Sequence, residues 1–171
     1  MERTNTVTMK GNPITLSGPE LKVGDKAPDF LLHDNSLQPV KLSDSAGKVR
    51  FLSVVPSLDT PVCNIQTNKF NQGMSALGDK VKSYTISADL PFAQARFCGE
   101  HKIENMQTLS DHRSLSFGQA YGLAIKDLRL LSRAVIVVDD QDKIAYFQTV
   151  PEVTAEPNYT EALDAVKRIL G

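Results

Sequence analysis

The order of local patterns predicts an α/β three-layer sandwich. Three observations carry this. The run VRFLSVVP (49–56) is almost continuously apolar and ends in proline, as a strand buried on both faces does. Helix-like and strand-like stretches alternate after it. The chain then finishes with a strand pair and an amphipathic helix, which places helices against a sheet.

In chain order, residues 6–16 hold two short β-type runs around Gly11-Asn12 and read as a hairpin with a tight turn. Two further extended pieces flank Asp34-Asn35-Ser36. After the 49–56 strand a helix is expected over about 61–77, where Phe70, Met74 and Leu77 recur at helical spacing. Lys82 to Ala88 is strand-like, and 91–101 helix-like, with Pro91 suited to a first turn. A short strand over 106–109 and a helix over 114–121 follow. Ala134 to Val138 is a second buried strand, and 143–150 alternates as its edge partner across the turn Asp140-Gln141-Asp142. Residues 158–170 close the chain as a helix with Ala162, Leu163, Val166 and Leu170 on one side. With no repeat, linker or low-complexity segment, one domain over 1–171 is expected, the 6–16 hairpin being an extension of it.

Composition narrows the function. The 19 Lys+Arg balance 20 Asp+Glu for a net charge of −1, which removes the basic excess of a nucleic-acid binder. Apolar runs reach only about five residues, against the ~20 of a membrane span, and the N-terminus shows no signal-like apolar segment. A cytoplasmic location is therefore expected, where thiols stay reduced. The two cysteines, Cys63 and Cys98, exclude a disulfide-rich scaffold. Cys98-Gly99-Glu100-His101 has a Cys-x2-His spacing, with His33 and His112 elsewhere, but structural zinc usually takes two such pairs and no second exists. No glycine-rich phosphate loop is present. No metal, nucleotide or other cofactor is expected.

The segment Pro56-Ser57-Leu58-Asp59-Thr60-Pro61-Val62-Cys63 carries the chemistry. A buried strand ends at Pro56, and Thr60-Pro61 has the form of an N-cap followed by proline at the first helical position. Cys63 is then the third helical residue, where free backbone N–H groups and the positive end of the helix dipole favour a thiolate. A dithiol exchange motif would put a second cysteine at position 66, which is Gln66. Cys98 lacks the start-of-helix setting. It is either core filler or the partner in a single bridge, and a bridge needs the two Cα atoms to approach within about 7 Å.

Pro56-x3-Thr60-x2-Cys63 resembles the active-site signature of the peroxiredoxins. Together with ADLPFAQARFCG, IEN…TLSD, SRAVIVVDD and VPEVTAEPNY, the chain resembles their thiol peroxidase subfamily over nearly its whole length. The resemblance implies a thioredoxin-like fold with an added N-terminal hairpin. It implies that Cys63 attacks the peroxide, that Thr60 hydrogen-bonds thiolate and incoming oxygen, that Pro56 shields the sulfur from water, and that Arg133 polarises the peroxide. Cys98 is then the resolving cysteine, which closes a Cys63–Cys98 disulfide. Hydrogen peroxide and organic hydroperoxides are the implied substrates, thioredoxin the implied reductant, and a homodimer the implied assembly. Between Tyr121 and Arg133 the chain reads GLAIKDLRLLS, where part of the subfamily carries a longer Gly/Pro-containing loop.

Overall fold

A computed structural model describes residues Met1–Gly171. The chain opens with two antiparallel hairpins, β1 (Glu2–Met9) with β2 (Asn12–Ser17), and β3 (Leu31–His33) with β4 (Pro39–Lys41). Alternation follows: β5 (Val49–Val54), α1 (Pro61–Ser75), β6 (Val81–Ser87), α2 (Pro91–His101), β7 (Gln107–Ser110) and α3 (Ser116–Ala120). A short ribbon, β8 (Ala124–Ile125) and β9 (Leu130–Leu131), precedes β10 (Ala134–Val138), β11 (Ile144–Thr149) and α4 (Tyr159–Leu170).

Seven strands form the main sheet in the order β11-β10-β5-β6-β7-β3-β4. β5, β6 and β7 are mutually parallel, and β10 runs antiparallel to β5. Strand pleating assigns the layers, because successive side chains point to opposite faces. Val135 and Val137 of β10, with Phe51 of β5, pack against Phe70 of α1, Phe97 of α2 and Val166 of α4. Ala134, Ile136 and Val138, with Leu52 and Val54, pack against Phe117 and Tyr121 at α3. Three helices thus cover one face and α3 the other, which makes the three-layer sandwich expected from the sequence.

Several boundaries move. α1 stops at Ser75, short of the expected 77, because Gly78 takes a positive φ of 53° and starts a 3-10 turn. Leu77 still packs on the core from outside the helix. The first hairpin is longer than its sequence pattern, starting at Glu2. The 122–132 rim folds into β8 and β9, which extend the β1–β2 sheet through Leu16 and Ser17. Strands of two residues leave no periodic trace, since their pairing partner lies far away in sequence.

The first hairpin docks on the segment between β11 and α4. Thr8 N donates to Pro151 O and Val153 N donates to Thr8 O, both at 2.8 Å. The Glu152 carboxylate accepts from Lys10 N at 2.7 Å, Gly11 N at 3.1 Å and the Thr8 hydroxyl. No helix is long and apolar enough to cross a membrane.

Candidate active site

β5 delivers the chain to buried Pro56, and a turn over 57–60 leads into α1. Thr60 holds the N-cap position with extended backbone, and Pro61 opens the helix. The cap differs from the sequence expectation in one respect. The Thr60 hydroxyl does not accept from the helix; it donates back to Ser57 O at 3.1 Å, and Thr60 is exposed. Cys63 follows in the first turn, its side chain completely buried on the sheet face of α1.

The partner of the Cys63 sulfur comes from across the sheet. Arg133 lies just before β10 and is 2% exposed. Its Nη2 donates to Cys63 Sγ at 3.2 Å, Nη1 to Gln66 Oε1 at 2.9 Å, and Nε to Val153 O at 2.8 Å. Gln66 is itself held, donating from Nε2 to Ser53 Oγ of β5 at 2.8 Å. No carboxylate forms an ion pair with Arg133. A buried guanidinium out of contact with any carboxylate is costly, and the Cys63 sulfur is the one group touching Arg133 where a negative charge would be compensated.

Sequence reasoning missed Gln66, Ser53 and the Val153 carbonyl. Two signals pointed to the side chains. Ser53 is a polar residue inside an apolar buried strand. Gln66 interrupts the stripe of Cys63, Phe70 and Met74 that α1 turns inward.

Cys98 stands elsewhere on the same helical layer. It is half-buried, and its Sγ lies 3.5 Å from Thr108 Oγ1 on β7, which donates on to Asn35 Oδ1 at 2.7 Å. Both cysteines are free thiols. Arg133 leads into β10 and Thr108 lies on β7, and these strands are separated by β5 and β6, a distance of about 14 Å at the usual spacing. A Cys63–Cys98 bond therefore requires at least one sulfur to leave its partner. His101, the other half of the Cys-x2-His spacing, turns instead to Asn64 Nδ2 at 3.3 Å.

A cleft of about 400 Å³ opens between α1 and α2, lined by Leu58, Asp59, Thr60, Pro61 and Asn64 on one side and by Arg96, Phe97, Glu100 and His101 on the other. Its mouth is polar and exposed at Thr60, its far wall apolar at Phe97. The cleft borders the first turn of α1 through Thr60, Pro61 and Asn64, while Cys63 and Arg133 stay buried and do not line it.

A helical layer over a mixed sheet, with a buried cysteine at the first turn of the helix after the leading parallel strand, defines the class: a thioredoxin-fold redox protein. The Redoxin family profile matches residues 22–163, and the chain belongs to the Redoxin family, within its thiol peroxidase group. It is 53% identical to the thiol peroxidase of Bacillus subtilis (strain 168) over 164 residues, covering 96% of this chain and 98% of that one. It is 54% identical to the thiol peroxidase of Halalkalibacterium halodurans, covering 96% and 99%. The crystal structure of a peroxiredoxin-like protein from Aquifex aeolicus superposes with a TM-score of 0.91 at 44% identity, covering 98% of this chain and 97% of that one.

Proposed function

We propose that the chain is a thiol-dependent peroxidase that reduces hydrogen peroxide and organic hydroperoxides. The observation that carries the proposal is the buried Arg133, whose only hydrogen-bond partner able to become an anion is the sulfur of Cys63. The Cys63 thiolate attacks one peroxide oxygen and the O–O bond breaks. Cys63 becomes a sulfenic acid, and the other oxygen leaves as water or an alcohol after taking a proton. Arg133 presents fixed donors where charge develops. Thr60 Oγ1, at the mouth, turns from Ser57 O to orient the peroxide, and Pro56 keeps bulk water from the sulfur.

The Cys98 thiol then attacks the Cys63 sulfur, the S–O bond breaks, water leaves and the disulfide forms. An external dithiol, thioredoxin in this reading, restores both thiols by exchange. No cofactor enters the cycle. A cycle that returns both cysteines to thiols needs a reducing compartment, which a cytoplasmic location supplies. Exposed Leu90 and Phe92 at the start of α2, with Ile65 on α1, support docking of the reductant and homodimer formation beside the site.

The test is peroxide consumption driven by a thioredoxin system. Cys63→Ser is expected to abolish turnover, while Cys98→Ser performs one stoichiometric oxidation and stops. Undiminished turnover in Cys63→Ser overturns the proposal.

A further inference from the structure

We infer that Asp89 is a positioning residue that sets the balance between the peroxide-reactive form of Cys63 and the form that closes the disulfide; the inference rests on the two-cysteine cycle above. Asp89 lies between the end of β6 and the start of α2, the helix of Cys98, yet its carboxylate binds the turn that enters α1, the helix of Cys63. Oδ1 accepts from Ser57 Oγ at 2.7 Å, and Oδ2 accepts from Leu58 N at 2.8 Å and Ser87 Oγ at 2.7 Å. One carboxylate thus ties the entrances of both cysteine-bearing helices together.

The turn beyond Ser57 depends on this tie. Asp59 N donates to Ser57 Oγ at 3.2 Å, while the Thr60 hydroxyl and Thr60 N donate to Ser57 O at 3.1 and 3.3 Å. Ser57 is therefore the post on which residues 58–60 are wound, and Asp89 holds the post. The Ser87 hydroxyl is committed too, accepting from Gln94 Nε2 of α2 at 3.0 Å and from Asp89 N at 3.3 Å. The remaining ties across this gap are weaker: the exposed pair Arg96–Asp59 at 3.7 Å and the Asn64–His101 contact.

Charge-assisted bonds are the strong members of such a network, and Leu58 N–H can only donate. Asp89→Asn keeps one amide oxygen for Leu58 N and Ser87 Oγ but removes the charge from all three bonds, and its N–H₂ meets Ser57 only if that hydroxyl turns from donor to acceptor and gives up its present bond. With the turn loosened, the first helical turn spends more time unwound. Cys63 then leaves Arg133 more often, which harms attack on peroxide and helps approach to Cys98. Loss of packing alone does not move two rates in opposite directions.

Two measurements test this. Stopped-flow oxidation by hydrogen peroxide in the Cys98→Ser background isolates the first step, and thiol loss from the sulfenic acid in the two-cysteine chain reports the second. Asp89→Asn is expected to slow the first and quicken the second, shifting their ratio about tenfold. Unchanged rates, or both slowed by the same factor, overturn the inference. Independently of any disulfide, hydrogen exchange at Asn64 and Ile65 amides is expected to rise relative to α4, and unchanged exchange there also overturns it. A wild-type chain that forms no Cys63–Cys98 bond defeats the two-cysteine cycle, while the exchange measurement still decides the clamp. Ser57→Ala removes one of the three bonds and is expected to show the same signs at smaller size, should Asp89→Asn not fold.

Discussion

Gln66 occupies the place where a second cysteine would make a dithiol, and it makes an arginine clamp instead. Its amide bridges Ser53 of β5 and Arg133 beside β10, so the guanidinium is fixed from three sides by Gln66, Val153 and Cys63. Replacing Gln66 by Met keeps the volume and deletes the bridge. The second-order rate of Cys63 oxidation by hydrogen peroxide is expected to fall about tenfold, the equivalent of one lost hydrogen bond to a charged group. Stopped-flow measurement in the Cys98→Ser background reads it, and an unchanged rate refutes the positioning role. At this scale the sequence was legible where the signal was local. Cys63, Thr60 and Pro56 were marked by a strand, a proline turn and a helix start within eight residues. Arg133 entered through resemblance, and Gln66 escaped because a side-chain bridge between distant strands leaves no mark on spacing.

Among the elements, the first hairpin matters most to the site without contributing a side chain to it. β1 pairs with the 151–153 segment through Thr8, and Val153 of that segment offers its carbonyl to Arg133 Nε. Glu152 fastens the joint. Hydrogen bonds from Thr154, Thr8 and the Gly11 and Lys10 amides hold its carboxyl well below the usual carboxylate range. A lowered value means the carboxylate contributes stability above its ordinary 4.5 and loses it only as pH falls through the depressed value, so the joint stays intact at neutral pH. Glu152→Ala is expected to raise hydrogen exchange at Val153 and Thr8 and to slow peroxide oxidation of Cys63 in parallel. Faster exchange with an unaltered oxidation rate separates the hairpin from the chemistry. The larger elements were readable because apolar periodicity and Pro or Gly punctuation are local properties. α1 was overrun by two residues only because Leu77 keeps the helical spacing after the α-helical ladder has ended, its amide bonding back to Met74 O at 3.1 Å just before the turn at Gly78.

Across the whole molecule, pH acts on stability through one buried carboxyl in particular. Asp111 caps α3 by accepting from Phe117 N at 3.2 Å and Gly118 N at 2.9 Å, yet burial outweighs these bonds and pushes it up to about 6 from 3.8. Between those values the folded chain keeps a proton that the unfolded chain releases, so this group's contribution falls as pH rises from about 4 to about 6. The loss amounts to at most about 3 kcal/mol, several degrees of melting temperature for a chain of this size. Asp29 and Glu156, whose carboxyls are lowered, act in the opposite sense, so the informative quantity is a difference. The melting temperature of Asp111→Asn minus that of wild type is expected to grow more favourable to the variant from pH 4 to pH 6. A constant difference refutes the assignment.

The Redoxin profile begins at residue 22, beyond the hairpin, and the residues proposed to meet peroxide, Pro56, Thr60, Cys63 and Arg133, fall inside its span. The hairpin thus lies outside the block that carries the chemistry, and it reaches Arg133 only indirectly, through the 151–153 segment that it fastens. That gives the protein engineer a dial: hairpins exchanged between relatives should retune reactivity while every atom that meets substrate stays the same.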